Sequence, residues 1–161
     1  HASNIDPPLM ASLIDRPVSY MAKIELFENP IFGAAIRRCH AFPVKRGESD
    51  RGAIKTAVTV LKEGRVLGLF PEGTRSKTGE LQKAEAGVAL IAAMTGAPIV
   101  PVAILNTHRI FSNGGLVPQL RIMYGEPITF DGDRKSKEAL DAFSGEIMAH
   151  IAHMKDELSK K

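Results

Sequence analysis

The chain is short of cysteine, of excess charge and of the glycine signatures that mark common nucleotide and hydrolase sites. Its single cysteine, Cys39, excludes an internal disulfide and fits a reducing compartment. A net charge of +3, with a pI near 9.1, is too mild to argue for nucleic acid. It suits a surface that meets anionic lipid or phosphate, although ordinary scatter of charge explains it equally well. No G-x-S-x-G occurs, which excludes the serine nucleophile of an α/β-hydrolase, and no G-x-G-x-x-G is present. Gly68 and Gly73-Thr74 imitate the glycine spacing of a P-loop but lack its lysine, which argues against a nucleotide there. No signal peptide, internal repeat or low-complexity segment stands out. One uncharged run, 88–105, has the length of a membrane-spanning candidate. Thr95-Gly96-Ala97-Pro98 interrupts it, so it reads as a helix ending near Thr95 followed by a buried strand, Ile99 to Ile104.

What is present is enough for one globular domain. A chain of 161 residues at 44% hydrophobic can bury a proper core. It begins with His1 rather than Met, so the expectation is a fragment, a processed chain or the ordered part of something longer.

The elements alternate. Val18 to Lys23 reads as a strand, Glu25 to Pro30 as a short helix or turn, and Ala41 to Val44 as a strand. Arg51 to Glu63 is helical, with Ile54, Val58 and Leu61 on one face and Gly64 as its cap. Val66 to Phe70 is the next strand, and Ala84 to Thr95 the next helix, with Val88, Ile91 and Ala92 inward. Two successive strand–helix–strand units imply a parallel sheet with right-handed crossovers. The expected fold class is therefore α/β, a single domain over 1–161 with a mostly parallel sheet and helices on both faces. Leu120 to Tyr124 adds a strand. Lys135 to Lys160 is an amphipathic helix whose stripe Leu140, Phe143, Ile147, Ile151, Met154 and Leu158 packs on the sheet or, less simply, meets a membrane or partner. Asn113-Gly114-Gly115 reads as a surface turn, or as the lining of a substrate entrance.

Chemistry gathers just past the third strand. Phe70-Pro71-Glu72-Gly73-Thr74-Arg75-Ser76 puts a polar cluster where ligands sit in open α/β sheets, beyond the carboxyl end of a strand. Gly73 allows close backbone approach, and Arg75 offers a planar fork suited to phosphate. At the chain start, His1 and Asp6 are five positions apart, about 140° on a helix, so a helix cannot pair them. A turn can: Asp6-Pro7 reads as a helix start, and the preceding loop can fold the carboxylate back onto the imidazole. Alternatively Asp6 only caps a helix and His1 is an incidental terminal residue. His150 and His153 have no evident third metal ligand and read as solvated, so no metal is expected. Cys39 is expected to be a buried thiol, since its neighbour His40 would face the other side of a strand.

Four motifs occur in order: His1 with Asp6, Arg46, Phe70 to Ser76, and Val100-Pro101-Val102. In order and spacing they resemble those of the glycerolipid acyltransferases, in particular the 1-acylglycerol-3-phosphate acyltransferases. The resemblance spans roughly the first two-thirds of the chain, and the F-P-E-G-T-R-S motif is its most specific part. It implies a glycerol-3-phosphate acyltransferase-like fold and transfer of a fatty acyl group to the sn-2 hydroxyl of 1-acylglycerol 3-phosphate (lysophosphatidic acid), making phosphatidic acid. The co-substrate would be acyl-CoA or acyl carrier protein, with no other cofactor. Other readings are a sister enzyme acting on glycerol 3-phosphate or another lysolipid, and a non-catalytic phospholipid-surface module. His1 would be the general base and Asp6 its orienting partner. Arg46 and Arg75 would bind phosphate, with Gly73 and Thr74 beside them, while Glu72 would hold the glycerol hydroxyl or the Arg75 fork. Lys23 is a weaker candidate for the same anion. Relatives carry an upstream membrane-anchoring segment, so the expected location is membrane-associated, on the cytoplasmic face. The sequence departs from the family at Glu85, where many relatives carry lysine; here Lys83 lies two positions earlier.

Overall fold

A computed structural model describes residues 3, 6–45, 50–74, 76, 80–107 and 119–160. The chain is α/β, in the order α1 (Asp6–Ala11), β1 (Val18–Lys23), a 3-10 turn (Ile24–Phe27), α2 (Pro30–Arg38), β2 (Ala41–Val44), α3 (Arg51–Lys62), β3 (Val66–Gly68), α4 (Gly87–Thr95), β4 (Val102–Leu105), β5 (Arg121–Tyr124) and α5 (Lys137–Lys160). Its contacts gather in two compact units: residues 11–69, and residues 1–10 with 70–161. No helix among the described residues is long and apolar enough to cross a membrane.

The 11–69 unit is built on a parallel sheet in the order β2-β1-β3. Tyr20 lies opposite Ala41 on one side and Gly68 on the other. That register explains Gly68: a β-carbon there would fall 2.2 Å from the Tyr20 ring, so glycine makes room for the buried aromatic. Pro43 is tolerated because β2 is an edge strand among the described residues. α3 buries Ala53, Ala57 and Val60, one residue round from the face read from the sequence. Ile54, Val58 and Leu61 flank it half-buried, because small residues let the helix axis approach β2 and β3 closely. Asp50 caps α3 by accepting from the Ala53 N–H at 2.9 Å, and Gly64, at φ +72°, ends it as expected.

The sequence reading missed α2. Its start is written in Asn29-Pro30: the Asn29 side chain accepts from the N–H groups of Ile31 and Phe32, and Pro occupies the first helical position. Gly33 allows close approach to the 3-10 turn, since a β-carbon there would lie 2.8 Å from the Phe27 carbonyl oxygen. This helix corrects the expectation for Cys39. The residue caps α2 rather than lying in a strand, and its thiol is exposed. His40 follows in a left-handed conformation, φ 59°, which turns the chain into β2.

In the second unit β4 pairs with β5 antiparallel, Val102 opposite Tyr124 and Leu105 opposite Arg121. The parallel order deduced from strand–helix–strand alternation holds for β1, β2 and β3, while β4 pairs with β5 antiparallel. The strand begins three residues later than expected, and Ile99 makes only an isolated bridge with Ile128. α4 ends at Thr95 with Gly96 in a left-handed cap, as the sequence indicates. The stripe of α5 goes into the core. Phe143 and Ile147 pack with Ala89 and Ala92 of α4, and Met154 and Leu158 with Ala103 of β4. Leu140 and Ile151 are half-buried beside them. The Phe130 and Phe143 rings meet edge to face at 5.3 Å. Asn113-Gly114-Gly115 lies outside the described residues.

Candidate active site

Of the candidate residues, His1, Arg46 and Arg75 lie outside the described residues. Asp6, Glu72, Gly73 and Thr74 all belong to the unit formed by 1–10 and 70–161.

Asp6 opens α1 and is only 1% exposed. Its carboxylate turns back toward the preceding loop, where Oδ2 accepts from the Ser3 N–H at 2.9 Å. The Asp6 N–H in turn donates to the Ser3 carbonyl at 3.2 Å. This reciprocal pair curls the chain just before α1, so the carboxylate faces Ser3. At the other end of α1, the Tyr124 hydroxyl of β5 donates to the Met10 carbonyl at 2.8 Å. Burial pushes the Tyr124 phenol above its ordinary value.

The turn after β3 brings Glu72, Gly73 and Thr74 together. The Gly73 N–H donates to the Phe70 carbonyl at 3.0 Å, with Gly73 at φ +64°, and the Thr74 N–H donates to the Glu72 carbonyl at 2.7 Å. The chain that leads into α4 is laced onto this turn. The Glu85 N–H donates to the Pro71 carbonyl at 2.7 Å, and the Gln82 N–H donates to Glu72 Oε2 at 2.9 Å. The Thr74 hydroxyl reaches Gln82 Oε1 at 3.4 Å. Glu72 is 5% exposed, so the backbone donor from Gln82 supplies part of what a buried carboxylate needs. A β-carbon at Gly73 would lie 2.8 Å from Glu85 Cγ. Glycine therefore serves twice here, by adopting the left-handed backbone and by giving space to Glu85.

The sequence singled out Glu85 as a departure but gave no sign that its backbone holds Pro71, nor that Gln82 braces Glu72. No periodicity marks such contacts; only the folded loop reveals them. Lys23, the weaker anion candidate, pairs with Glu25 at 3.3 Å on the surface. Lys45 and Asp50 flank the Arg46 segment. Asp50 accepts from the Lys45 N–H at 2.8 Å, and this bond is the first cause holding its carboxyl below the usual range. Among the described residues no group of three or more His, Cys, Asp and Glu is placed to hold a metal. His150 and His153 instead lie near Glu146 and Glu157 one turn away.

The family model described as "Acyltransferase" matches residues 1–105, a span that takes in Asp6, the braced turn and Val100-Pro101-Val102. The chain belongs to the acyltransferase family. The acyltransferase is 33% identical over 157 residues to the 1-acyl-sn-glycerol-3-phosphate acyltransferase of Bacillus subtilis (strain 168), covering 94% of this chain and 76% of that one. It is 33% identical over 162 residues to the enzyme of the same name from Streptococcus pneumoniae, covering 98% of this chain and 59% of that one. Among solved structures it is similar to the 1-acyl-sn-glycerophosphate (LPA) acyltransferase PlsC from Thermotoga maritima, with a TM-score of 0.76 and 27% identity. That match covers 100% of this chain and 64% of the neighbour, so the chain spans about two thirds of that protein's length.

Proposed function

We propose that this acyltransferase moves a fatty acyl group from a thioester donor, acyl-CoA or acyl carrier protein, to the sn-2 hydroxyl of 1-acylglycerol 3-phosphate, giving phosphatidic acid. The observation that carries the reading is the braced turn past β3, a buried Glu72 beside a left-handed Gly73, in a chain of this family. Relatives named for this acceptor support the choice of substrate.

In this reading His1 takes the acceptor hydroxyl proton as the oxygen attacks the thioester carbonyl. The carbon–sulfur bond then breaks, and the departing thiolate recovers a proton from the imidazolium. Asp6 fixes the imidazole tautomer and stabilises its charged form, which is the use a buried, backward-turned carboxylate suits. The acceptor hydroxyl stands where a serine stands in a catalytic triad, so no covalent acyl-enzyme forms. Arg46 and Arg75 share the acceptor phosphate, and two guanidinium forks satisfy several of its oxygens together. Glu72, engaged by Gln82, holds the shape of the turn from inside. The acyl chains of donor and acceptor put the work at a membrane surface, on the cytoplasmic face where thioester donors are made.

An acceptor panel of lysophosphatidic acid, glycerol 3-phosphate and a neutral lysolipid tests the substrate. Turnover confined to lysophosphatidic acid is expected; preference for another acceptor overturns the assignment. His1→Ala should abolish turnover while leaving lipid binding in place, and retained turnover would remove His1 from the role of base.

A further inference from the structure

Two of the amphipathic helices, α5 and α2, meet opposite fates. The apolar stripe of α5 is consumed by the core, through Phe143, Ile147, Met154 and Leu158. The apolar residues of α2 are left outside. Ile31 is 84% exposed and Phe32 49%, and Leu26 of the preceding 3-10 turn is 44% exposed. Single exposed apolar residues are ordinary, but these cluster in one turn-and-helix segment.

Helical spacing places Ile31, Ala34, Ala35 and Arg38 within an arc of roughly 100°, and all four are exposed. Gly33 is buried, and Ile36 half-buried, away from that arc. α2 contains no acidic residue, and its last turn carries Arg37 and Arg38. Arg37 stacks on the Phe27 ring at 4.8 Å, which fixes one positive charge at the end of the apolar face. Of the nearby acids, Glu25 is already paired with Lys23 and Glu28 lies before the helix, outside the arc. Apolar side chains bordered by arginine, with no acid on the face, are the makings of a helix that lies in a bilayer interface.

We propose that α2 is an interfacial helix that seats Ile31 and Phe32 among the acyl chains of an anionic phospholipid surface, with Arg38 at the headgroups. The inference deepens the lipid reading above and rests on it only for the source of the partner. The test uses vesicles of phosphatidylcholine with or without phosphatidylglycerol. Cys39, the sole cysteine, lies exposed one residue past α2 and takes a polarity-sensitive dye. Its signal is local, so any other attachment to the membrane does not mask it. The dye should shift to the blue on anionic vesicles. Ile31→Ser with Phe32→Ser should weaken that partition roughly tenfold or more, and Arg38→Gln roughly fivefold on anionic vesicles only. Unchanged melting and unchanged turnover of a short-chain, water-soluble acceptor would show that the double variant is folded. An unshifted dye, or a double variant that partitions like wild type, overturns the proposal. So does a concentration-dependent dimer that the double variant abolishes while vesicle binding persists, because the patch would then be a protein interface. Wild-type vesicle insertion without turnover of any lysolipid would sink the enzymatic reading and leave this surface standing.

Discussion

Replacing Gly73 by alanine perturbs the candidate site in two separable ways. The backbone at φ +64° costs an L-residue about 1–2 kcal/mol. The stiffer unfolded chain returns about 0.4–1 kcal/mol of that, so the backbone share is about 1 kcal/mol net. The added β-carbon would also stand 2.8 Å from Glu85 Cγ, close to the point where the Glu85 N–H holds Pro71. Gly96 provides the calibration, because it sits at φ +67° with nothing within 4 Å of an added β-carbon. Gly96→Ala should therefore report the backbone cost alone, and Gly73→Ala that cost plus the crowding. At about 2–4 °C per kcal/mol for a chain of this size, Gly96→Ala should lower Tm by about that much and Gly73→Ala by clearly more. Glu85→Ala, added to Gly73→Ala, should recover the difference. Calorimetry of the four proteins measures this, and steady-state kinetics with varied lysophosphatidic acid reads the site. KM for the acceptor should rise in Gly73→Ala and stay unchanged in Gly96→Ala. Equal melting of the two single variants, or an acceptor KM that ignores Gly73→Ala, would refute the reasoning.

Three further outcomes follow from the fold. Gly68→Ala pushes a β-carbon into the Tyr20 ring, so it should cost about 1–3 kcal/mol, and Tyr20→Leu in the same chain should restore part of it; a neutral Gly68→Ala in urea unfolding would contradict the register. Asp50→Ala should destabilise α3 at neutral pH, because the Ala53 N–H loses its cap. Because the Asp50 carboxyl is held below its usual value, its contribution is present above about pH 4 and fades as pH falls through the folded value, so wild type and variant should converge in acid melts. Tyr124 behaves oppositely: with its phenol raised, stability is intact below about pH 10 and declines above it, where the unfolded chain ionises first. Tyr124→Phe should lose about 1 kcal/mol at pH 7 and show a flatter alkaline decline.

Local signals in the sequence were enough for β1 and β2, for β3 except its end, which falls at Gly68 rather than Phe70, for the stop of α4 at Gly96 and for the whole inward stripe of α5. Each rests on residues adjacent in the chain or on one helix. α2 escaped because Gly33, Ala34 and Ala35 blur its apolar period, although Asn29-Pro30 marks its start. The centre of α3 was misplaced by one residue because alanines, not large side chains, make the closest approach. The antiparallel pairing of β4 with β5 was hidden, since it is decided by residues far along the chain. At the candidate site, residue types were legible and their neighbours were not. The motif exposed Glu72 and Gly73, but Gln82 and the Glu85 backbone hold them through contacts that leave no pattern.

The way the chain is divided bears on the order in which it becomes ordered during synthesis. Residues 11–69 form one uninterrupted unit, whereas the other joins the first ten residues to everything after 69. β1, β2 and β3 all lie within 11–69, so every strand of that sheet has emerged by residue 69. α1 waits far longer, for the Tyr124 hydroxyl that grips Met10 arrives 114 residues later in the chain. Closing so long a loop adds little to the equilibrium cost, which grows only with the logarithm of its length. It does mean that a ribosome-bound or C-terminally truncated chain would hold all three strands of the parallel sheet while α1 still lacked its Tyr124 anchor.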